Sequence, residues 1–185
     1  MSYQEHFEKE VSRYKELKGC DGVLPLEAVV KRDGVVQGLL IPYVEGDNLW
    51  DAAIRSQREL LDITYRIIEI AAGLERVGYY DEDLKCQNIV RRWPNGALFF
   101  IDFGEGLIDE SHREEAWDEL ADDVVTAKEA IYILGKTLWQ LWSGQHPRPS
   151  DRLPADMPEP VRSIIDDCVQ YRVESIEGLR RKYCT

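Results

Sequence analysis

The chain has 185 residues, 44% hydrophobic and 31% charged, with 35 acidic against 23 basic side chains and a formal net charge of −12. That composition excludes a disordered or collagen-like chain and suits one domain, or two small lobes sharing a core. So acidic a chain is expected to bind no nucleic-acid backbone; its carboxylates suit a divalent cation or a basic protein partner.

In chain order, Phe7, Val11, Tyr14 and Leu17 recur at helical spacing and predict a helix over 3–18, stopped by Gly19 and Gly22. Residues 26–30 and 35–42 are β-rich runs around the turn Arg32-Asp33-Gly34, which together read as an antiparallel hairpin. Residues 44–48 read as a connector without regular structure. From Leu49 the pattern turns helical. Leu60, Ile63, Ile67, Ile68, Ala71 and Leu74 mark a long amphipathic helix ending near Gly78. Short strands are expected over 88–92 and 97–103, joined by Trp93-Pro94-Asn95-Gly96, whose Asn-Gly pair signals a hairpin turn. Residues 105–123 are acidic and read as a solvated face. Residues 126–142 form the most apolar helix, with Trp139 and Trp142 on one packed face. A Pro-rich loop over 145–160 leads to a helix near 161–170 and a short one from Ser175.

The four cysteines, Cys20, Cys86, Cys168 and Cys184, form no CxxC pair. They read as reduced thiols in an intracellular protein, cytoplasmic or nuclear, and not as a zinc site or a disulfide framework. The opening MSYQEHFEKE is too polar for a signal peptide. The longest apolar stretch, 130–142, contains Lys136 and Gln140 and is too short and polar to span a bilayer, so no membrane partner is expected. His6, His112 and His146 are scattered and read as surface or turn histidines.

The informative stretch is YYDEDLKCQNIVRRWPNGALFFIDFG, over 79–104. It places Asp83, Lys85, Asn88 and Asp102 around one hairpin, and antiparallel pairing is expected to bring Asn88 and Asp102 side by side. A carboxylate and an amide oxygen held together make a hard-oxygen site. Mg²⁺ fits it, taking one or two protein ligands and filling the rest with phosphate oxygens and water. Asp83 is placed to accept a proton from a hydroxyl, and Lys85 to present a point charge to a phosphate. Cys86 inside this loop reads as a small filler that alkylating reagents could reach.

D-L-K-x-x-N-I, a hairpin and then apolar-apolar-D-F-G together resemble the catalytic loop and metal motif of protein kinases, in the serine/threonine pattern. The resemblance implies Asp83 as catalytic-loop aspartate, Lys85 as the lysine two residues on, Asn88 and Asp102 as Mg²⁺ ligands, and Phe103 and Gly104 completing DFG. Residues 131–144 resemble the buried central helix of the large lobe, and 39–46 the last small-lobe strand and hinge. On that footing Ile41 is the gatekeeper, the backbone of Pro42 and Val44 faces an adenine edge, and Val90 forms part of the adenine floor. The first helix resembles the regulatory helix, with Glu10 at its glutamate. The implied fold is α+β and kinase-like. It has a truncated small lobe of one helix and a β-hairpin over 1–48 and a mostly helical large lobe over 49–185.

Departures from the family shape the functional expectation. Only Met1 and Ser2 precede the first helix, where the family has three strands carrying a Gly-rich loop and a lysine; the chain has no GxGxxG and no V-A-I-K-like lysine. Asp81-Glu82 replace the His-Arg before the catalytic aspartate, and Asp81 there needs hydrogen bonds of its own. Glu82 would repel a phosphorylated loop. Ala130 stands where the helix aspartate that braces the loop is expected, and no APE motif follows. The expected function is a pseudokinase, a regulatory or scaffold module with weak Mg²⁺–ATP binding. The alternative is an active serine/threonine-type phosphotransferase completed by a partner chain. The small-lobe hairpin is left with an open edge, to be covered by the first helix, a second copy or another protein.

Overall fold

Helical spacing in the first segment produces α1 (Tyr3–Glu16), with Val11 and Tyr14 buried along one face and Leu17 buried just beyond its end. The computed structural model describes residues 3–54, 56–81, 83–103, 127–148, 152–155 and 157–184. Glu82, Gly104 and the acidic stretch 105–123, with His112 and Trp117, lie outside the described residues. β1 (Ala28–Arg32) and β2 (Val35–Leu40) pair antiparallel, with Arg32 opposite Val35. Asp33 and Gly34 both take positive φ, 52° and 83°, as a two-residue turn matching the strand twist requires. The register shifts between Val30 and Lys31, and α1 packs against β2.

Two expectations change after β2. The connector is in part a strand: β3 (Gly46–Asn48) pairs antiparallel with β4 (Ile89–Arg92), which pairs in turn with β5 (Leu98–Phe100). Gly-Asp-Asn carries no strand propensity. What licenses the pairing is close backbone approach, since a Cβ on Gly46 would sit 2.0 Å from the Arg91 carbonyl oxygen. The second change is the helix start. Residues 49–54 are not helical, and α2 (Gln57–Arg76) begins only after Ser56, whose hydroxyl accepts from the Glu59 amide at 3.2 Å. It ends where expected. Gly78 takes φ 79°, and the amides of Tyr79 and Gly78 donate back to Leu74 (3.0 Å) and Glu75 (2.9 Å), the left-handed closure that glycine permits.

The remaining helices follow the sequence pattern: α3 (Ala127–Ser143), α4 (Glu159–Val169) and α5 (Ile176–Tyr183). α3 lies so close to α4 that a Cβ on Gly135 would meet the Cys168 Cβ at 2.6 Å. α5 starts on a double cap. Ser175 accepts from Gly178, and the Glu75 carboxylate of α2 accepts from the Ile176 and Glu177 amides at 3.0 and 2.8 Å. Core side chains such as Ile67, Ile89, Phe100, Ile131, Leu138 and Val161 are fully buried. Behind β5, the Phe100 amide donates to the Gly22 carbonyl at 2.8 Å, tying the segment after α1 into this sheet. The architecture is α+β: five α-helices and two small antiparallel sheets among the described residues. No helix among them is long and apolar enough to cross a membrane.

Candidate functional site

The polar cluster sits on the turn that feeds β4. Residues 86–88 form a single 3-10 turn, and the Asn88 amide donates to the Lys85 carbonyl at 2.9 Å. Asp83 is the hub. Lys85 Nζ lies 2.6 Å from its Oδ2, and Asn88 Nδ2 donates to the same oxygen at 2.9 Å and to the Asp83 carbonyl at 3.1 Å. Three of the four chemistry-bearing residues therefore meet at one carboxylate.

Cross-strand pairing does not set Asp102 beside Asn88 as expected. The β4–β5 register sets Ile89 opposite Phe100, and the Ile101 amide donates to the Asn88 carbonyl at 2.9 Å. Asn88 thus faces Ile101, and strand alternation alone would send Asp102 to the other side. Asp102 instead has φ 61°, left-handed backbone that aspartate tolerates better than most residues. The turn leaves the Asp102 residue exposed and Phe103 fully buried. The charges of both Asp102 and Asp83 act on Asp81, so three carboxyls share one neighbourhood.

Asp81 has a hydrogen bond of the kind that a buried carboxyl needs. Its Oδ1 accepts the Asp83 amide at 3.0 Å. Burial of the carboxyl, although the residue as a whole keeps partial exposure, pushes its pKa up to about 7. The Asp83 amide and the Arg13 charge oppose that shift, while the Asp83 and Asp102 charges add to it. Phe103 packs edge-to-face on Tyr14 of α1 (5.1 Å) and on Tyr79 (5.7 Å). Burial, followed by the Glu10 charge, raises the Tyr14 phenol to about 12, and a hydrogen bond from the Asp102 backbone works against both.

The loop's brace comes from residues the sequence reading passed over. With Ala130 in place of the expected aspartate, α3 holds the loop through Thr137 and Gln140. The Thr137 hydroxyl is shared between the Leu84 carbonyl (2.5 Å) and the Ile133 carbonyl (2.9 Å), and the Cys86 amide donates to Gln140 Oε1 at 2.9 Å. Both flanks of Lys85 are thereby pinned. Because a backbone N–H can only donate, the Gln140 oxygen faces Cys86 and its NH₂ faces Gln87 Oε1 (3.3 Å) and His146 Nδ1 (3.1 Å), which therefore accepts. His146 is exposed, as expected, and also stacks on Trp50 with ring centroids 4.7 Å apart. The available signal was two buried polar residues, three apart, on the most apolar helix. Cys86 needs correcting on access. It is 1% exposed, burial pushes its thiol up to about 12, and it is not positioned for alkylation.

Residues 41–44, expected as a hinge, make no hydrogen bond with this cluster among the described residues. Ile41 and Pro42 are half-buried, Val44 is buried, and between them Tyr43 is 89% exposed. Among the described residues, the backbone of 42–44 makes no backbone hydrogen bond. The link to the cluster is β3, whose Asn48 pairs with the half-buried Val90. Gly104 lies outside the described residues.

The donor set fits Mg²⁺ in one respect. Asn88 is 8% exposed and turns its amide nitrogen to Asp83. Among the described residues nothing donates to its oxygen or pairs with the Asp102 carboxylate. Both are hard oxygens of the kind Mg²⁺ takes beside waters and phosphate oxygens. Among the described residues no group of three or more histidine, cysteine or acidic side chains forms a self-sufficient metal site. No family model matches the chain, and no curated protein matches it.

Proposed function

We propose that this chain is a protein kinase-like module that binds Mg²⁺–ATP weakly and works as a regulatory or scaffold protein, a pseudokinase. The observation that carries the reading is the buried Asn88 amide, its nitrogen committed to Asp83 and its oxygen uncommitted beside the turn that presents Asp102. In this reading Asn88 and Asp102 hold Mg²⁺, which when bound neutralises phosphate charge. Lys85 faces the phosphate, and Asp83 is oriented by Lys85 and Asn88 toward an acceptor hydroxyl. The backbone of Pro42 to Val44 takes the adenine edge, with Ile41, Val90 and Phe103 lining or backing the pocket and Gly104 completing the motif.

Binding is favoured over catalysis because Asp81 and Ala130 stand where the family has the histidine before the catalytic aspartate and the aspartate that braces the loop, and positioning of that kind is worth orders of magnitude in rate. A second reading, a serine/threonine-type phosphotransferase completed by a partner chain, draws support from the retained Asp83–Lys85–Asn88 geometry.

The test is a thermal melt with ATP, with and without Mg²⁺, paired with a phosphate-transfer assay. The reading expects a Mg²⁺-dependent rise in Tm that Asp102→Asn abolishes, with no transfer. Transfer that Asp102→Asn abolishes would install the second reading. No shift with millimolar Mg²⁺–ATP would sink both.

A further inference from the structure

Outside the catalytic-type loop, one side chain reaches several parts of the site at once. Arg13 is half-buried on α1. Its Nη1 donates to the Phe103 carbonyl at 2.6 Å, ninety residues away in sequence. Its guanidinium carbon lies 5.9 Å from the Tyr79 ring centroid, and its charge draws on the buried Asp81 carboxyl. Next to it on the helix, Tyr14 packs on the Phe103 ring. The residue that follows the left-handed turn is therefore held from α1 at both its carbonyl and its ring. Nothing local requires that turn: a non-glycine residue at φ 61° persists only where its surroundings over-determine it.

We propose that Arg13 is a positioning residue of the candidate site: by holding the Phe103 carbonyl it keeps Asp102 in the left-handed conformation from which its carboxylate serves the ion proposed above. The inference deepens the Mg²⁺–nucleotide reading and rests on it, but its first readout does not need the ligand. Arginine suits the role because its planar fork gives a fixed donor direction and stays charged against Asp81. The position is invisible to motif reading, since Arg13 lies on the charged side of an ordinary amphipathic helix.

The experiment compares wild type, Arg13→Met and Arg13→Lys, each checked for folding by circular dichroism. The first measurement is amide exchange at Asp102 and Phe103 without ligand. The second is Mn²⁺ affinity by electron paramagnetic resonance in the presence of ATP. The expected result is exchange at least about tenfold faster in Arg13→Met, Mn²⁺ binding weaker by about tenfold, and substantial recovery of both in Arg13→Lys, in keeping with one lost charge-assisted hydrogen bond. Unchanged exchange in folded Arg13→Met overturns the clamp. Faster exchange with unchanged Mn²⁺ affinity overturns the positioning role. Should Arg13→Met not fold, Arg13→Lys decides alone: wild-type exchange and affinity support the role, and loss of affinity with wild-type exchange overturns it. A wild-type protein that binds no Mn²⁺ in any of these conditions overturns the Mg²⁺–nucleotide reading, and the positioning role with it, even where the exchange effect is present.

Discussion

The molecule contains two hairpins with the same local recipe and opposite fates. β1–β2 turns on Asp33-Gly34 and β4–β5 on a segment ending in Asn95-Gly96, each glycine with positive φ. In β4–β5, Ile89 and Phe100 are fully buried, and β3 and the segment around Val23 flank the pair. In β1–β2, Val30 and Leu40 are each 51% exposed, and α1 packs against β2. Turn chemistry set both registers, but burial decided which hairpin became a platform. The candidate site stands on the platform: Asn88 precedes β4 and Asp102 follows β5.

The comparison breaks most visibly through the core. Phe100→Ala should lower stability by about 3–5 kcal/mol, read as a fall in the denaturant midpoint, while Leu40→Ala on the open hairpin should cost well under that, about 0.5 kcal/mol or less. Similar losses at the two positions would mean that the β1–β2 face is covered in solution, by a second copy or by another chain.

Next in size is the buried Asp81. Its folded pKa, about 7, lies above the ordinary carboxylate value of 3.8. Between those values the folded state holds a proton that the unfolded state has lost, so this group's contribution falls as pH rises and its penalty is complete above pH 7. Asp81→Asn keeps an oxygen for the Asp83 amide and removes the charge. The variant should gain on wild type from pH 5 to pH 8, by on the order of 3 kcal/mol at the upper end. Parallel Tm–pH curves for the two proteins would show that Asp81 is not buried in its ionised form.

A smaller effect sharpens the platform itself. Gln140→Leu leaves the Cys86 amide without its acceptor and should cost about 1–3 kcal/mol, with faster exchange of the Cys86 amide. An unchanged exchange rate would mean that the loop is held by Thr137 alone.

Much of the fold was legible because period and punctuation agreed. The first helix, the long helix ending at Gly78, the apolar helix and both hairpins carried their own stop signals. β3 was not legible, since Gly-Asp-Asn has no strand pattern and its pairing follows from backbone approach at Gly46. The helix start was placed early because Leu49 is buried for tertiary reasons, while the cap that decides is Ser56. At the site, the Asp83–Lys85–Asn88 grouping followed from short spacing. The place of Asp102 did not, because the register sets Ile101 opposite Asn88 and Asp102 turns left-handed beyond it. Thr137, Gln140 and Arg13 were missed for a common reason. Each acts across 50 or more residues of sequence, through a hydrogen bond that no local pattern encodes.

The central claim is that Asn88 and Asp102 serve one ion. Its most direct measurement is a double-mutant cycle on Mg²⁺–ATP affinity by calorimetry, using Asn88→Ala, Asp102→Ala and the pair. The account predicts that either single substitution removes the Mg²⁺ dependence and that the double variant binds no worse than the weaker single one. Additive losses, or Mg²⁺ dependence that survives in both single variants, would contradict it.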